Sequence, residues 1–150
     1  MLKIGDKAPD FELVNQHGKT VKLSELCKQK MVVLFFYPKN ETRGCTAEAC
    51  AFRDQHQDFA EAGAEVIGIS GDSMESHQSF AKNHNLNYQL LSDHNNKVRK
   101  LFGVPNTFIF IPGRVTFVID KQMQIVHVFD SMRQFEQHVA EALKAIKEQI

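Results

Sequence analysis

The chain has 150 residues, 18 basic against 18 acidic side chains, 43% hydrophobic residues and three cysteines. A domain of this length buries roughly 68–70% of the surface its unfolded chain exposes, so a single unit over residues 1–150 needs no disulfide framework, and three cysteines are too few to build one. Zero formal net charge gives no global field for nucleic acid or an anionic membrane, and the longest strongly apolar run, residues 31–37, is far short of the roughly 20 needed to cross a bilayer.

In chain order, two short alternating stretches at residues 11–13 and 20–23 flank Gln16, His17, Gly18 and Lys19, which reads as a β-hairpin, with Ser24 expected to cap a short helical turn. Three β-rich apolar runs follow, at residues 31–37, 65–70 and 115–119, each too short for a helix and continuous enough for a strand buried on both faces. Between them, Ala49, Phe52, His56 and Phe59 share one face of a helix expected over 46–62, stopped by Gly63. Ser73 is the expected N-cap of a helix to about residue 85, and a shorter helix is expected over 95–102, ending at Gly103. A partner strand at 125–129 precedes an amphipathic helix over 131–148, with Phe135, Val139, Ala142, Leu143 and Ile146 on one stripe. Strands alternating with helices predict a layered α/β domain, compatible with a thioredoxin-like core carrying an N-terminal extension.

The segment from Tyr37 to Cys50 leaves a buried strand, crosses a polar loop and enters a helix at about Cys45. A cysteine in a first helical turn faces unpaired backbone N–H groups and the positive end of the helix dipole, a setting that favours a thiolate, and Lys39 and Arg43 add positive charge, partly offset by Glu41 and Glu48. Cys50 is five residues on. In an unbroken helix that spacing separates the two Cα atoms by about 8.7 Å, whereas a disulfide needs less than roughly 7 Å, so any bond between them requires the first turns to unwind. Cap position and spacing alone leave two readings open, a reactive thiol pair or two buried cysteines. Neither a zinc knuckle nor a CxxC dithiol is present, and the seven histidines, without metal-ligand spacing, are assigned to solvated faces. Cys27 matches no catalytic pattern, and the phenylalanines are assigned to packing.

At these residues the sequence resembles the peroxiredoxins, specifically the Q-type or bacterioferritin comigratory protein subgroup. Pro38, Thr42 and Cys45 match the PxxxTxxC pattern and Cys50 matches the subgroup's second cysteine. GDKAPDFEL near the start, VIGISGDSMESHQSF from Val66, LLSD from Leu90 and RVTFVID from Arg114 resemble it in the same order. The resemblance implies a thioredoxin-like fold of the peroxiredoxin type, with a central mixed sheet, flanking helices and an N-terminal β-hairpin extension. It also implies a thiol peroxidase acting on hydrogen peroxide and organic hydroperoxides, with no metal or other cofactor. Cys45 would be the nucleophile and pass through a sulfenic acid. Thr42 would hydrogen-bond the thiolate and the peroxide, Arg114 would stabilise developing charge, Pro38 would shield the sulfur, and backbone N–H groups around Gly44 and Cys45 would complete the cradle. Cys50 would close an intramolecular disulfide, reduced by thioredoxin or a similar dithiol. Arg43 stands where the subgroup commonly has proline.

Two other functions share these residues: a peroxide sensor relaying oxidation to a bound protein, and a thioredoxin-like disulfide exchange protein, which the lack of CxxC disfavours. The expected assembly is a monomer or weak homodimer. The expected location is the cytoplasm, or an organelle lumen such as the plastid stroma if a transit peptide has been removed.

Overall fold

The computed structural model describes residues 1–107 and 111–150. Its elements in chain order are β1 (Glu12–Asn15), β2 (Thr20–Lys22), α1 (Leu23–Cys27), β3 (Met31–Phe36), α2 (Arg43–Asp54), α3 (His56–Glu61), β4 (Ala64–Ser70), α4 (Met74–Asn83) and β5 (Gln89–Ser92). A short 3-10 turn (His94–Asn96) then leads to α5 (Lys97–Leu101), β6 (Asn106–Thr107), β7 (Ile111–Pro112), β8 (Val115–Ile119), β9 (Ile125–Asp130) and α6 (Phe135–Glu148). Seven strands form one mixed sheet in the order β2-β1-β5-β4-β3-β8-β9, with β3, β4 and β5 parallel, and β6 pairs with β7 apart from it.

The apolar runs dictate the centre of this sheet. Every residue of β3 and β8 is buried. The period-two alternation of a strand splits β3 between two cores: Val32, Leu34 and Phe36 pack beneath the sheet with Leu23, Val98 and Phe102, while Val33, Phe35 and Tyr37 pack above it with Phe52, Phe80, Val139 and Ile146. Phe35 stacks on Phe52 with ring centroids 4.4 Å apart, which seats α2 on the upper face. Cys45 belongs to this upper core. Phe108 and Phe110 lie outside the described residues.

Four expectations are corrected. The helix expected over 46–62 is two helices, because Gln55 leaves helical geometry (φ −101°, ψ 7°), and it begins three residues earlier, at Arg43. Ser24 does not cap α1; instead the Asp10 carboxylate accepts from the Ser24 backbone N–H at 2.9 Å and its hydroxyl at 2.8 Å. The last helix starts at Phe135, and the carbonyls of Ser131 and Met132 before it bind side chains of His138 and Arg114. In the helix expected over 95–102, Asn95 and Asn96 take positive φ, so the α-helical part starts only at Lys97. Ser73 does cap α4, accepting from the Ser76 N–H at 3.1 Å.

Candidate active site

The upper core is open to chemistry where β3 ends. After Tyr37 the chain turns through Pro38, Lys39, Asn40 and Glu41 to the α2 N-cap, Thr42. This loop is held firmly for so polar a segment. Asn40 is buried; its backbone N–H donates to Asp72 at 2.9 Å, and its amide reaches Ser76 (3.1 Å) and His77 (2.9 Å) on α4. Glu41 sits at φ 61° and grips the end of α4 through Asn83 and His84, both at 2.8 Å. Such a backbone conformation is disfavoured for a non-glycine residue, and two side-chain anchors offset it here.

The first intrahelical bond of α2 runs from Thr46 N–H to the Thr42 carbonyl at 2.9 Å, so the N–H groups of Gly44 and Cys45 precede the ladder and point from the positive end of the helix. The Thr42 hydroxyl donates to the Lys39 carbonyl at 2.8 Å, leaving its oxygen lone pairs to accept. Pro38 is half-buried beside this turn, and Cys45, on the third residue of the helix, is only 1% exposed.

Arg114, one residue before β8 and 69 residues from Cys45 in sequence, comes to the same point. Its Nη2 lies 3.3 Å from Cys45 Sγ, its Nη1 donates to Glu48 Oε1 at 2.8 Å, and its Nε donates to the Met132 carbonyl at 3.2 Å. The Phe135 ring covers the guanidinium at 4.9 Å. Gly44 leaves room for both side chains, since a Cβ there would lie 2.8 Å from the Phe135 ring and 3.3 Å from Arg114 Nη2. Burial alone would lower the Arg114 guanidinium, but Glu48 and Cys45 beside it hold it above its ordinary value.

Several participants were not found in the sequence. Glu48 is fully buried, its carboxyl pushed up to about 7 by burial against the opposing pull of Arg114. Its three-residue spacing from Cys45, which puts both on one helix face, was the available signal. His138 is also fully buried, correcting its assignment to a solvated face, as is His77. Burial drives the His138 imidazole down to about 4 despite its contact with the Ser131 carbonyl. Arg99 spans the carbonyls of Tyr37 (3.2 Å) and Gly113 (2.9 Å), tying together the two chain points that lead to Cys45 and Arg114.

Cys50 is half-buried on the same unbroken helix, five residues beyond Cys45, and both thiols are free. Cys27 is buried at the end of α1, its thiol raised to about 11 chiefly by burial. No cluster of three metal-ligating side chains occurs among the described residues.

Comparison with known proteins decides the family, since the AhpC/TSA family profile matches residues 4–128. The chain belongs to the AhpC/TSA family, in the Q-type branch of the peroxiredoxins. It is 51% identical over 144 residues to the chloroplastic peroxiredoxin Q of Triticum aestivum, covering 95% of this chain and 66% of that protein, so it spans about two thirds of that relative's length. Among solved structures, peroxidoxin BcpB of Mycobacterium tuberculosis superposes with a TM-score of 0.92 at 39% identity, covering 99% of this chain and 98% of that one. The bacterioferritin comigratory protein of Xanthomonas campestris, studied for alkyl peroxide reduction, superposes at 0.86 with 26% identity, covering 99% and 98%. These likenesses bear out the thioredoxin-type peroxiredoxin fold expected from the sequence.

Proposed function

We propose that the chain is a thiol-dependent peroxidase that reduces hydrogen peroxide and organic hydroperoxides at Cys45. The observation that carries this reading is the buried Arg114 guanidinium 3.3 Å from Cys45 Sγ at the N-terminal turn of α2. The Cys45 thiolate attacks the terminal peroxide oxygen, the O–O bond breaks, and the leaving oxygen takes a proton to depart as water or an alcohol, leaving Cys45 as a sulfenic acid. Arg114 and the Gly44 and Cys45 N–H groups stabilise the charge passing to that oxygen. The Thr42 oxygen accepts from the peroxide O–H, and Pro38 narrows access to the sulfur. The first turns of α2 then unwind, Cys50 attacks the sulfenic sulfur, water leaves, and the Cys45–Cys50 disulfide is reduced by thioredoxin or a similar dithiol. Support comes from the family, from relatives called peroxiredoxin Q, and from the alkyl peroxide reduction ascribed to the Xanthomonas protein.

The chain works as one domain and as a monomer or weak homodimer. Three free thiols suit a reducing compartment, the cytoplasm or a plastid stroma, the latter in keeping with relatives named chloroplastic. No described helix is long and apolar enough to cross a membrane.

The deciding assay is peroxide-dependent NADPH oxidation coupled through thioredoxin reductase and thioredoxin. Turnover is expected for the wild type and none for Cys45→Ser. Cys50→Ser should consume one equivalent of peroxide and stop at a trappable sulfenic acid. One equivalent should lower the wild-type free-thiol count from three to one; retention of all three thiols would falsify the reading.

A further inference from the structure

Two buried acids share one buried cation in this site. Arg114 reaches Cys45 Sγ with one terminal nitrogen and Glu48 Oε1 with the other, and all three side chains are at most 4% exposed. If both acids ionised together, the cluster would hold an uncompensated negative charge out of water, which is strongly disfavoured. One proton shared between them keeps it neutral.

The surroundings say where that proton rests when Cys45 is a thiolate. Glu48 Oε2 has no hydrogen-bond partner among the described residues and lies 3.6 Å from His138 Nδ1. His138 Nε2 is 2.7 Å from the Ser131 carbonyl, which can only accept, so Nε2 carries the ring proton and neutral Nδ1 presents its lone pair. Thr116 Oγ1, 2.8 Å away, donates to that lone pair. With that lone pair already taken, a bare carboxylate oxygen at Oε2 faces electron density with no donor to compensate it, and a proton on Oε2 removes the repulsion. Tyr37 and Tyr88, which also interact with Glu48, are both kept neutral by burial. The raised Glu48 carboxyl and the depressed His138 imidazole agree with a proton on Glu48.

We propose that Glu48, backed by His138, stores the proton that Cys45 gives up and releases it when a hydroperoxide is reduced. The balance is Cys45–S⁻ + ROOH + Glu48–COOH → Cys45–SOH + ROH + Glu48–COO⁻. Sulfur is oxidised by two electrons as the O–O bond is reduced, the terminal OH passes to sulfur, and the proton gained by the leaving oxygen is matched by the one Glu48 loses. Once Cys45 is a neutral sulfenic acid, Arg114 is left to the Glu48 carboxylate and the cluster stays neutral. The delivery step rests on the peroxidase reading; the shared proton of the reduced protein does not.

Infrared difference spectroscopy tests both parts. Reduced wild type at slightly alkaline pH, above the value of about 7 to which burial brings Glu48, should show the carbonyl stretch of a buried protonated carboxyl that is missing from Cys45→Ala, where Arg114 is free to hold Glu48 ionised, and missing from Glu48→Gln. Carbon-13 labelling of the glutamate carboxyls shifts the same band and makes the assignment even if Glu48→Gln does not fold. In Cys50→Ser, one equivalent of hydrogen peroxide should replace the band by carboxylate bands. A band that persists in Cys45→Ala, or is absent from reduced wild type, overturns the shared proton. A Cys45 thiol lost with the band intact overturns delivery alone, and peroxide that changes neither the thiol nor the band overturns delivery together with the peroxidase reading.

Discussion

Arg114 makes three separate contacts from one planar group: Cys45 Sγ, the Glu48 carboxyl and the Met132 carbonyl. A lysine ammonium is a single point charge on a flexible stem and cannot span them. Arg114→Lys is therefore expected to slow Cys45 oxidation by about 10²-fold or more, the effect of losing a preorganised donor, when sulfenic acid formation is followed by stopped flow; a rate equal to wild type would remove Arg114 from the chemistry. Gly44 matters through space rather than backbone freedom. Gly44→Ala pushes a methyl group against Phe135 and Arg114, so a loss of about 1–3 kcal/mol of stability in urea denaturation is expected, with part recovered in Gly44→Ala/Phe135→Leu. Additive losses in that pair would contradict the contact. At this scale the loop and helix residues of the site were legible, because Pro38, Thr42, Gly44, Cys45 and Cys50 lie within one short segment. Arg114 was found through the resemblance. Glu48 and His138 were not: three-residue spacing places Glu48 on the Cys45 face but does not show its partner 66 residues away, and nothing local marks an imidazole buried on an otherwise ordinary helix stripe.

The proposed Cys45–Cys50 disulfide requires α2 to move. Cys45 and Cys50 share its unbroken first turns, so the disulfide demands unwinding, yet the helix is pinned from Ala49 on: Tyr88 donates its hydroxyl to the Ala49 carbonyl, one residue before Cys50, at 2.7 Å and Arg53 binds the His84 carbonyl at 2.6 Å. These ties confine the unwinding to the turns around Cys45, which frees the N–H groups up to Cys50. Oxidation by one equivalent of peroxide should raise amide hydrogen exchange over residues 43–50 and leave 51–54 protected. Tyr88→Phe should spread the exchange past residue 50 and reduce stability by about 1 kcal/mol. Equal exchange over 43–50 in the reduced and disulfide forms would mean that the helix does not open. The break at Gln55 was hidden because Ala49, Phe52, His56 and Phe59 keep their helical phase across it, and β5 was passed over because QLLS is too short to display alternation. The central strands were plain for the opposite reason: burial on both faces makes each a continuous apolar run.

Over the whole molecule, formal neutrality conceals buried groups whose titrations oppose one another. Glu48 is raised from 4.5 to about 7, so between those values the native state keeps a proton that the unfolded chain has released; its contribution is fully present below 4.5 and is lost as pH rises towards 7. His138 is lowered from 6.5 to about 4, so its contribution is present above 6.5 and is lost as pH falls towards 4. His77, also lowered by burial, acts in the same sense as His138. Across the shared window, from about pH 4.5 to 6.5, the proton that Glu48 keeps is, in the proposed thiolate state, the one Cys45 has given up, so that pair adds no net slope and the His138 slope shows through in the wild type. Removing Glu48 or His138 should change that slope in opposite directions. Glu48→Gln is expected to lose stability more steeply than wild type as pH falls from 6.5, whereas His138→Gln is expected to gain relative to wild type as pH falls from 7 to 4.5. Urea midpoints measured across this range at unchanged m-value make the comparison. Parallel curves for all three proteins would mean that neither group changes its proton affinity on folding, and would break the link between the buried pair and the reactive thiol.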